Sequence, residues 1–507
     1  MPTAYSWPST TSCATAELSL PNHSDADPGP PDAEPGLPDS AVGCNSDPMA
    51  RLFADTRPLR NGHFRRLWTA NIVTVIGAQL TVVAVPAQIY ADTGSSGFVG
   101  LAGLFGLVPL VVFGLYGGAL ADHFDKRRLL LTTTLGLIVS SGAFFVQAAL
   151  GNTNVWLVLS IFAVQQGFFA VNQPTRTALL PQILGGAELL PAAASLNMTV
   201  AQAGAIAGPL VAGILIPFTG YPLLYLLDTL ALTATLAAVW RLPSLPGMRA
   251  SAAEADDRAM GGAGEGAGGR ATRTTGEHQA APGLRSVLVG LRYLAGHPIV
   301  LMSFVVDIIA MVFGLPRALF PELAHVSFAG PTSGGLAFAL LFAAIPAGAV
   351  LGGVLSGWVS SVSRHGRATV LAIVVWGLAI GAFGAASGLA GGRPQPWLWP
   401  AVAALMVAGA ADMVSAAFRQ TTILTVATED VRGRLQGVFL VVVAGGPRIA
   451  DVLHGGAAEY AGAPAVTMAG GALVVLGVAV ATLAAPAYWR FRASGGRSDG
   501  PSTVEGS

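Results

Sequence analysis

The chain has 507 residues, 53% of them apolar and only 11% charged, with a formal net charge of zero at pH 7. Soluble domains carry about 25% charged residues, so this composition, with a mean hydropathy of +0.61, excludes an ordinary soluble protein. The balanced charge also excludes a nucleic-acid partner, which needs a basic face.

Residues 1–60 are rich in Pro, Ser, Asp and Gly and lack a basic start followed by an apolar run, which reads as a disordered tail without a cleaved signal. Met49, just ahead of the first basic cluster, is a second candidate start beside Met1. Both cysteines, Cys13 and Cys44, stand in this tail, so the core has neither a disulfide framework nor a thiolate metal site. From residue 61 onward, apolar stretches long enough to cross a bilayer recur. They predict helices over 67–90, 98–121, 129–150, 155–178, 191–216 and 221–240, then over 299–320, 333–359, 369–390, 397–418, 435–459 and 465–487. The expected fold is an all-α membrane protein of twelve transmembrane helices in two pseudo-symmetric six-helix bundles, 61–242 and 284–490. Residues 243–283, an Ala/Gly/Arg/Glu stretch unable to bury a core, form the linker, and 491–507 a second disordered tail. Leu284, Val287, Leu288, Leu291 and Leu294 recur at helical spacing beside Arg285 and Arg292, predicting an interfacial helix ahead of span seven.

Basic residues orient the spans. Lys126, Arg127, Arg128, Arg241, Arg364, Arg367, Arg432 and Arg434 fall in alternate turns, and the intervening turns hold only Arg393. Cytoplasmic loops keep Lys and Arg, so both termini are expected in the cytoplasm, with the chain crossing the inner (plasma) membrane many times. Trp68, Trp156, Trp240, Trp358, Trp397, Trp399 and Trp489 fall at span ends, as an interfacial belt requires. Lys126 is the only lysine and no GxxxxGK[ST] segment surrounds it, so no ATP site is expected.

The halves repeat. Phe105, Pro109 and Arg127 are matched at the same spacing by Phe342, Pro346 and Arg364, and Arg176-Thr-Ala-Leu-Leu is echoed by Arg419-Gln-Thr-Thr-Ile-Leu. Such duplication places a binding cavity at mid-membrane between the halves, exposed alternately to each side. At the end of span two, Gly114, Gly117, Gly118 and Ala121 permit close backbone approach, and Asp122 can cap the positive N-terminus of another helix. That is the chemistry of a latch between helix groups.

Gly118-x-Leu120-Ala121-Asp122-x-x-x-x-Arg127-Arg128 resembles the loop-two signature of the major facilitator superfamily, with Asp125 at a position where the signature has glycine. Gly204-x-x-x-Gly208-Pro209-x-x-Ala212-Gly213 is similar to the antiporter signature of the drug-proton exporters in that superfamily. Val83-Ala84-Val85-Pro86-Ala87-Gln88-Ile89-Tyr90, Phe320-Pro321-Glu322-Leu323-Ala324 and Gly433-Arg434-Leu435-Gln436-Gly437 resemble its siderophore- and drug-exporting branch. The resemblance implies a gate of Gly118, Asp122, Arg127 and Arg128 and antiporter-type packing at Gly204, Gly208, Pro209 and Gly213. It implies proton-coupled export of an amphipathic small molecule, a siderophore of the enterobactin type, with a multidrug or macrolide efflux pump as the alternative. The expected protein is a monomer that uses neither cofactor nor metal.

An unpaired ionisable residue inside a span costs at least about 2.5 kcal/mol, so the intramembrane acids need partners or water. Asp307, Asp412 and Asp451 are the candidates for proton coupling, with Arg317, Arg448 and His454 available as partners; static pairs that orient helices are the plainer reading. Asp228 reads as a residue near the outer boundary. Candidate substrate contacts are Arg317, Gln88, Asn172, Asn197, Gln202 and Trp376, each also readable as an interhelical bond or packing contact. A membrane-embedded lipid-modifying enzyme would need clustered acids at an apolar pocket. The adjacent acids, Asp256-Asp257 and Glu429-Asp430, have no apolar pocket beside them.

Overall fold

A computed structural model describes residues 55–184, 188–242, 292, 294, 296–426 and 429–492, with side chains for all of these except 115–123, 360, 423–441 and 444. The N-terminal tail through Met49, the linker 243–283, the C-terminal tail beyond 492 and, apart from Arg292 and Leu294, the interfacial helix lie outside the described residues. So do the side chains of Gly118 and Asp122.

Among the described residues ten helical stretches are long and apolar enough to cross a membrane. Spans one to four are Gly62–Thr93, Ser96–His123, Lys126–Ala149 and Val155–Leu184. Local chemistry sets their ends. Asn61 caps span one by accepting the backbone N–H groups of His63 (2.9 Å) and Phe64 (3.2 Å), and Gly94, in the left-handed conformation at φ 65°, terminates it. Asp125 caps span three by accepting the N–H of Arg128 at 2.8 Å, a reason for an acid where the signature has glycine.

The turn expected between spans five and six is present and very tight, centred on Gly220. Leu190–Trp240 is one helical run broken only at Gly220 (φ 69°, ψ −172°), a conformation that a side chain would strain. Span seven departs from expectation: its helix, Pro298–Gly314, stops six residues short of the predicted 320, and a short 3-10 turn at Arg317–Leu319 follows. Pro316 supplies no backbone N–H and biases Leu315 toward extended geometry. The carbonyls of Phe313 and Leu315, released by this break, face the two ring nitrogens of His454 at 3.0 and 3.1 Å. A carbonyl only accepts, and a neutral imidazole has a single N–H, so both bonds form together only with the imidazolium. Spans eight to twelve are Leu336–Val354, His365–Ala390, Leu398–Val426, Glu429–Ala461 and Ala463–Ala484. The division of Leu190–Trp240 at Gly220, with Glu429–Ala461 added, brings the spans to twelve. Their even number puts residues 62 and 484 on one face, the termini face.

Span two packs on span four as span eight packs on span ten, and span three meets span six as span nine meets span twelve. Between the bundles the large contacts are span two with span eleven and span five with span eight. Moving each member by six spans converts one pair into the other, as a pseudo-twofold repeat requires.

Candidate functional site

The two bundles meet tightly in the half of the membrane away from the termini. On span two, Gly97, Gly100, Gly103 and Gly106 recur every third residue and face span eleven at Glu459, Gly455, Asp451 and Arg448. Repeat-related span five contributes Gly213, whose carbonyl accepts the N–H of Gly335 (3.0 Å) at the start of span eight. At the rim the Glu459 carboxylate accepts from the Ser95 hydroxyl (2.6 Å) and the Gly97 N–H (2.8 Å), and Glu322 accepts from the Ser96 hydroxyl. Two carboxylates of the second bundle therefore sit on the positive N-terminus of span two. This is a latch of the kind the sequence suggests for Asp122, built at the opposite end of the molecule.

Toward the termini face a cavity of about 390 Å³ lies among spans one, three, four, five and six, with Arg448 of span eleven reaching its wall. It runs from Phe64 and Leu180 near that face to Phe162 and Arg448 at mid-depth. Trp68, Phe162 and Phe169 supply aromatic surface; Gln165, Gln166, Asn172 and Asn197 supply amides. Its charges are Arg176, Arg448 and Asp228. Arg448 lies over the Phe162 ring at 5.3 Å. Among the described residues neither arginine has a carboxylate within ion-pair distance. Two cations facing an aromatic, amide-lined space have free donors for an anionic or phenolate group, and the arginine fork suits planar oxyanions.

Of the candidate contacts, Asn172 and Asn197 line this cavity. Asn172 is held by the Thr133 and Thr134 hydroxyls at 2.9 and 3.2 Å. Gln88 does not reach it; its amide is shared with Gln147 and the Tyr225 hydroxyl in a buried network. Gln202 is outside the lining as well, and Trp376 is buried in the second bundle beside Gly314 and Val474. Arg317, with Arg448 and Asp451, borders a separate void of about 20 Å³ just beyond the end of the main cavity. Gly204 and Gly208 pack on Val75 and Gln79 of span one, inside their own bundle, and Pro209 is buried with them. Arg127 donates to the Trp240 carbonyl at 2.6 Å, closing the C-terminus of span six.

Asp307 pairs with Arg419, and Asp412 lies 4.0 Å from the same guanidinium. Arg419 is the partner that the sequence reading missed. Its signal was there: it stands seven residues after Asp412, on the same helix face, and is the repeat equivalent of Arg176. Loss of one member of a buried pair costs about 3–5 kcal/mol because the other charge is stranded. Asp307→Ala is expected to lower the midpoint of thermal unfolding strongly, and Asp307→Ala with Arg419→Leu and Asp412→Asn to recover most of it; two equally unstable variants would disprove a structural pair.

Two repeat-related bundles of membrane-crossing helices, clasped at one end, with a cavity toward the other whose largely apolar wall carries amides and three charges, define a secondary transporter. The chain is a membrane transporter, not an enzyme, and it resembles the major facilitator superfamily. Residues 54–264 match the family described as a transmembrane secretion effector. Over 420 residues, 82% of this chain and 90% of the relative, the chain is 26% identical to the enterobactin exporter EntS of Shigella boydii serotype 4 (strain Sb227), and equally to that of Escherichia coli O9:H4 (strain HS). In fold it is similar to the nucleoside transporter NupG (TM-score 0.61, 12% identity, covering 85% of this chain and 100% of that one). It is also similar to a bacterial homologue of the iron transporter ferroportin solved in an inward-facing state (TM-score 0.55, 12% identity, covering 84% and 98%).

Proposed function

We propose that the chain exports an anionic, aromatic small molecule, a siderophore of the enterobactin class, from the cytoplasm in exchange for protons. The observation that carries this reading is the pair of guanidiniums, Arg176 and Arg448, that have no ion-pair partner among the described residues and line an aromatic and amide-lined cavity. Catecholates are planar oxyanions with an aromatic face, so each part of such a molecule meets a matching group. The enterobactin exporters resemble the chain over most of its length. Arginine placement supports cytoplasmic termini, which makes the described conformer the inward-facing one, filled from the cytoplasm and sealed by the glycine-lined contact and Glu459. The Asp122 carboxylate would then be the counterpart of Glu459 when the cytoplasmic end closes.

The test is efflux from cells or uptake into inverted vesicles. Enterobactin should move against its gradient, stop on addition of an uncoupler and continue without ATP. Movement of macrolides but not of enterobactin would replace this reading with a drug efflux pump, and uncoupler-resistant transport would remove the proton.

A further inference from the structure

We propose that Asp228 is the carboxyl that takes up and releases the transported proton, in direct competition with hydrogen-bond donors of the substrate. This rests on the proton-coupled reading above and names its residue. Asp228 is not at the outer boundary, as its sequence position suggests, but level with Thr81 of span one and Ser141 of span three, and it lines the cavity. It is 2% exposed.

Its Oδ2 accepts the Thr81 hydroxyl at 2.7 Å and the Ser141 hydroxyl at 2.9 Å. Its Oδ1 is buried and has no hydrogen-bond partner among the described residues. Space for that oxygen comes from Gly77 of span one, where an added Cβ would meet it at 2.9 Å. Among the described residues, no element around it supplies a counter-ion. Span one presents Gly77 and Thr81, span three Ser141, and span six itself Thr229 and Tyr225, whose hydroxyl donates to Gln88 instead. The cavity's cations, Arg176 on span four and Arg448 on span eleven, are not in ion-pair contact with it. Of the other intramembrane acids, Asp307 and Asp412 share Arg419, and Asp451 borders a small void together with Arg317 and Arg448.

A buried carboxylate with hydroxyl donors alone on one oxygen leaves the second oxygen's charge uncompensated, and the ligand that removes this cost is a proton. Competition follows from the same geometry. A phenol O–H or ammonium N–H entering from the cavity would donate to Oδ1, and the proton held there would leave to cavity water. After the bundles rock, a proton from the far side binds Oδ1 and breaks that hydrogen bond, freeing the substrate.

The full chain, reconstituted in lipid, is examined by infrared difference spectroscopy between acidic and alkaline pH with no substrate present. A protonated-carboxyl band that disappears with rising pH is expected in the wild type, absent in Asp228→Asn and retained in Asp307→Asn, Asp412→Asn and Asp451→Asn. Persistence of the band in Asp228→Asn, or its loss in one of the other three instead, overturns the proposal. Should Asp228→Asn fail to fold, Gly77→Ala, which crowds Oδ1 without removing it, should shift the band; an unshifted band is equally fatal. Enterobactin added to a weakly buffered sample should release protons in proportion to the amount bound, and none in Asp228→Asn. Failure of every variant to bind enterobactin while the band behaves as described refutes the siderophore reading and supports the proton site.

Discussion

Gly103→Val lowers transport at least about tenfold while the protein remains folded and inserted. The expectation follows from backbone geometry. A Cβ at Gly103 would lie 2.5 Å from the Arg448 carbonyl and 2.8 Å from the Asp451 Cβ. Overpacking that side chains can absorb costs about 1–3 kcal/mol. Here the opposing atom is main chain on span eleven and cannot rotate away, so the cost falls on the closed conformer and not on the fold. Each 1.4 kcal/mol is a factor of about ten in population, and a cycle unable to close this end cannot return for substrate. Spin labels at the exposed positions Asp92 and Tyr460 in a cysteine-free background should report a longer distance than in the parent. Gly142→Val on span three, at a position with no atom within 4 Å among the described residues, is the control and should leave both transport and distance unchanged. Normal transport by Gly103→Val would mean that spans two and eleven do not need to touch.

Arg176→Gln weakens binding of an anionic catecholate about ten- to one-hundred-fold and leaves binding of a neutral macrolide nearly unchanged. Hydrogen bonds to a charged partner contribute about 1.5–3 kcal/mol each, and with no carboxylate among the described residues paired with the Arg176 guanidinium its donors are available to the ligand. Arg448→Gln should behave similarly but also disturb the bundle contact, since Arg448 lies on the Phe162 ring of the other bundle. Arg176→Lys should recover only part of the affinity, because an ammonium retains the charge and loses the planar fork. Quenching of Trp68, which lines the cavity, gives a direct binding readout. Equal losses for charged and neutral ligands would show that Arg176 only shapes the cavity.

Much of the architecture was legible in the residues because its causes are local. Pro316 announced a break that the apolar count overlooked, and Gly220 makes the turn expected between spans five and six. The charge assignments went less well. Arg317, Arg448 and His454 were read as possible partners for the intramembrane acids as a group; Arg317 and Arg448 lie beside Asp451, and Asp307 pairs with Arg419 instead, while Gln88 and Trp376, read as cavity residues, are committed elsewhere. Gly97, Gly100, Gly103 and Gly106 at the start of span two have a three-residue spacing as readable as the small residues at its end.

What the sequence determined by itself is whatever one helix settles alone: bilayer-length apolar runs, the alternation of basic turns, the caps at Asn61 and Asp125, and a repeat that demands two like bundles. Tertiary structure alone decided which charges are neutralised and which are left for a ligand. Arg419 and Asp307 are 112 residues apart, and whether a guanidinium meets a carboxylate or an empty cavity depends on how helices from distant parts of the chain are rotated against one another. No single helix carries that information.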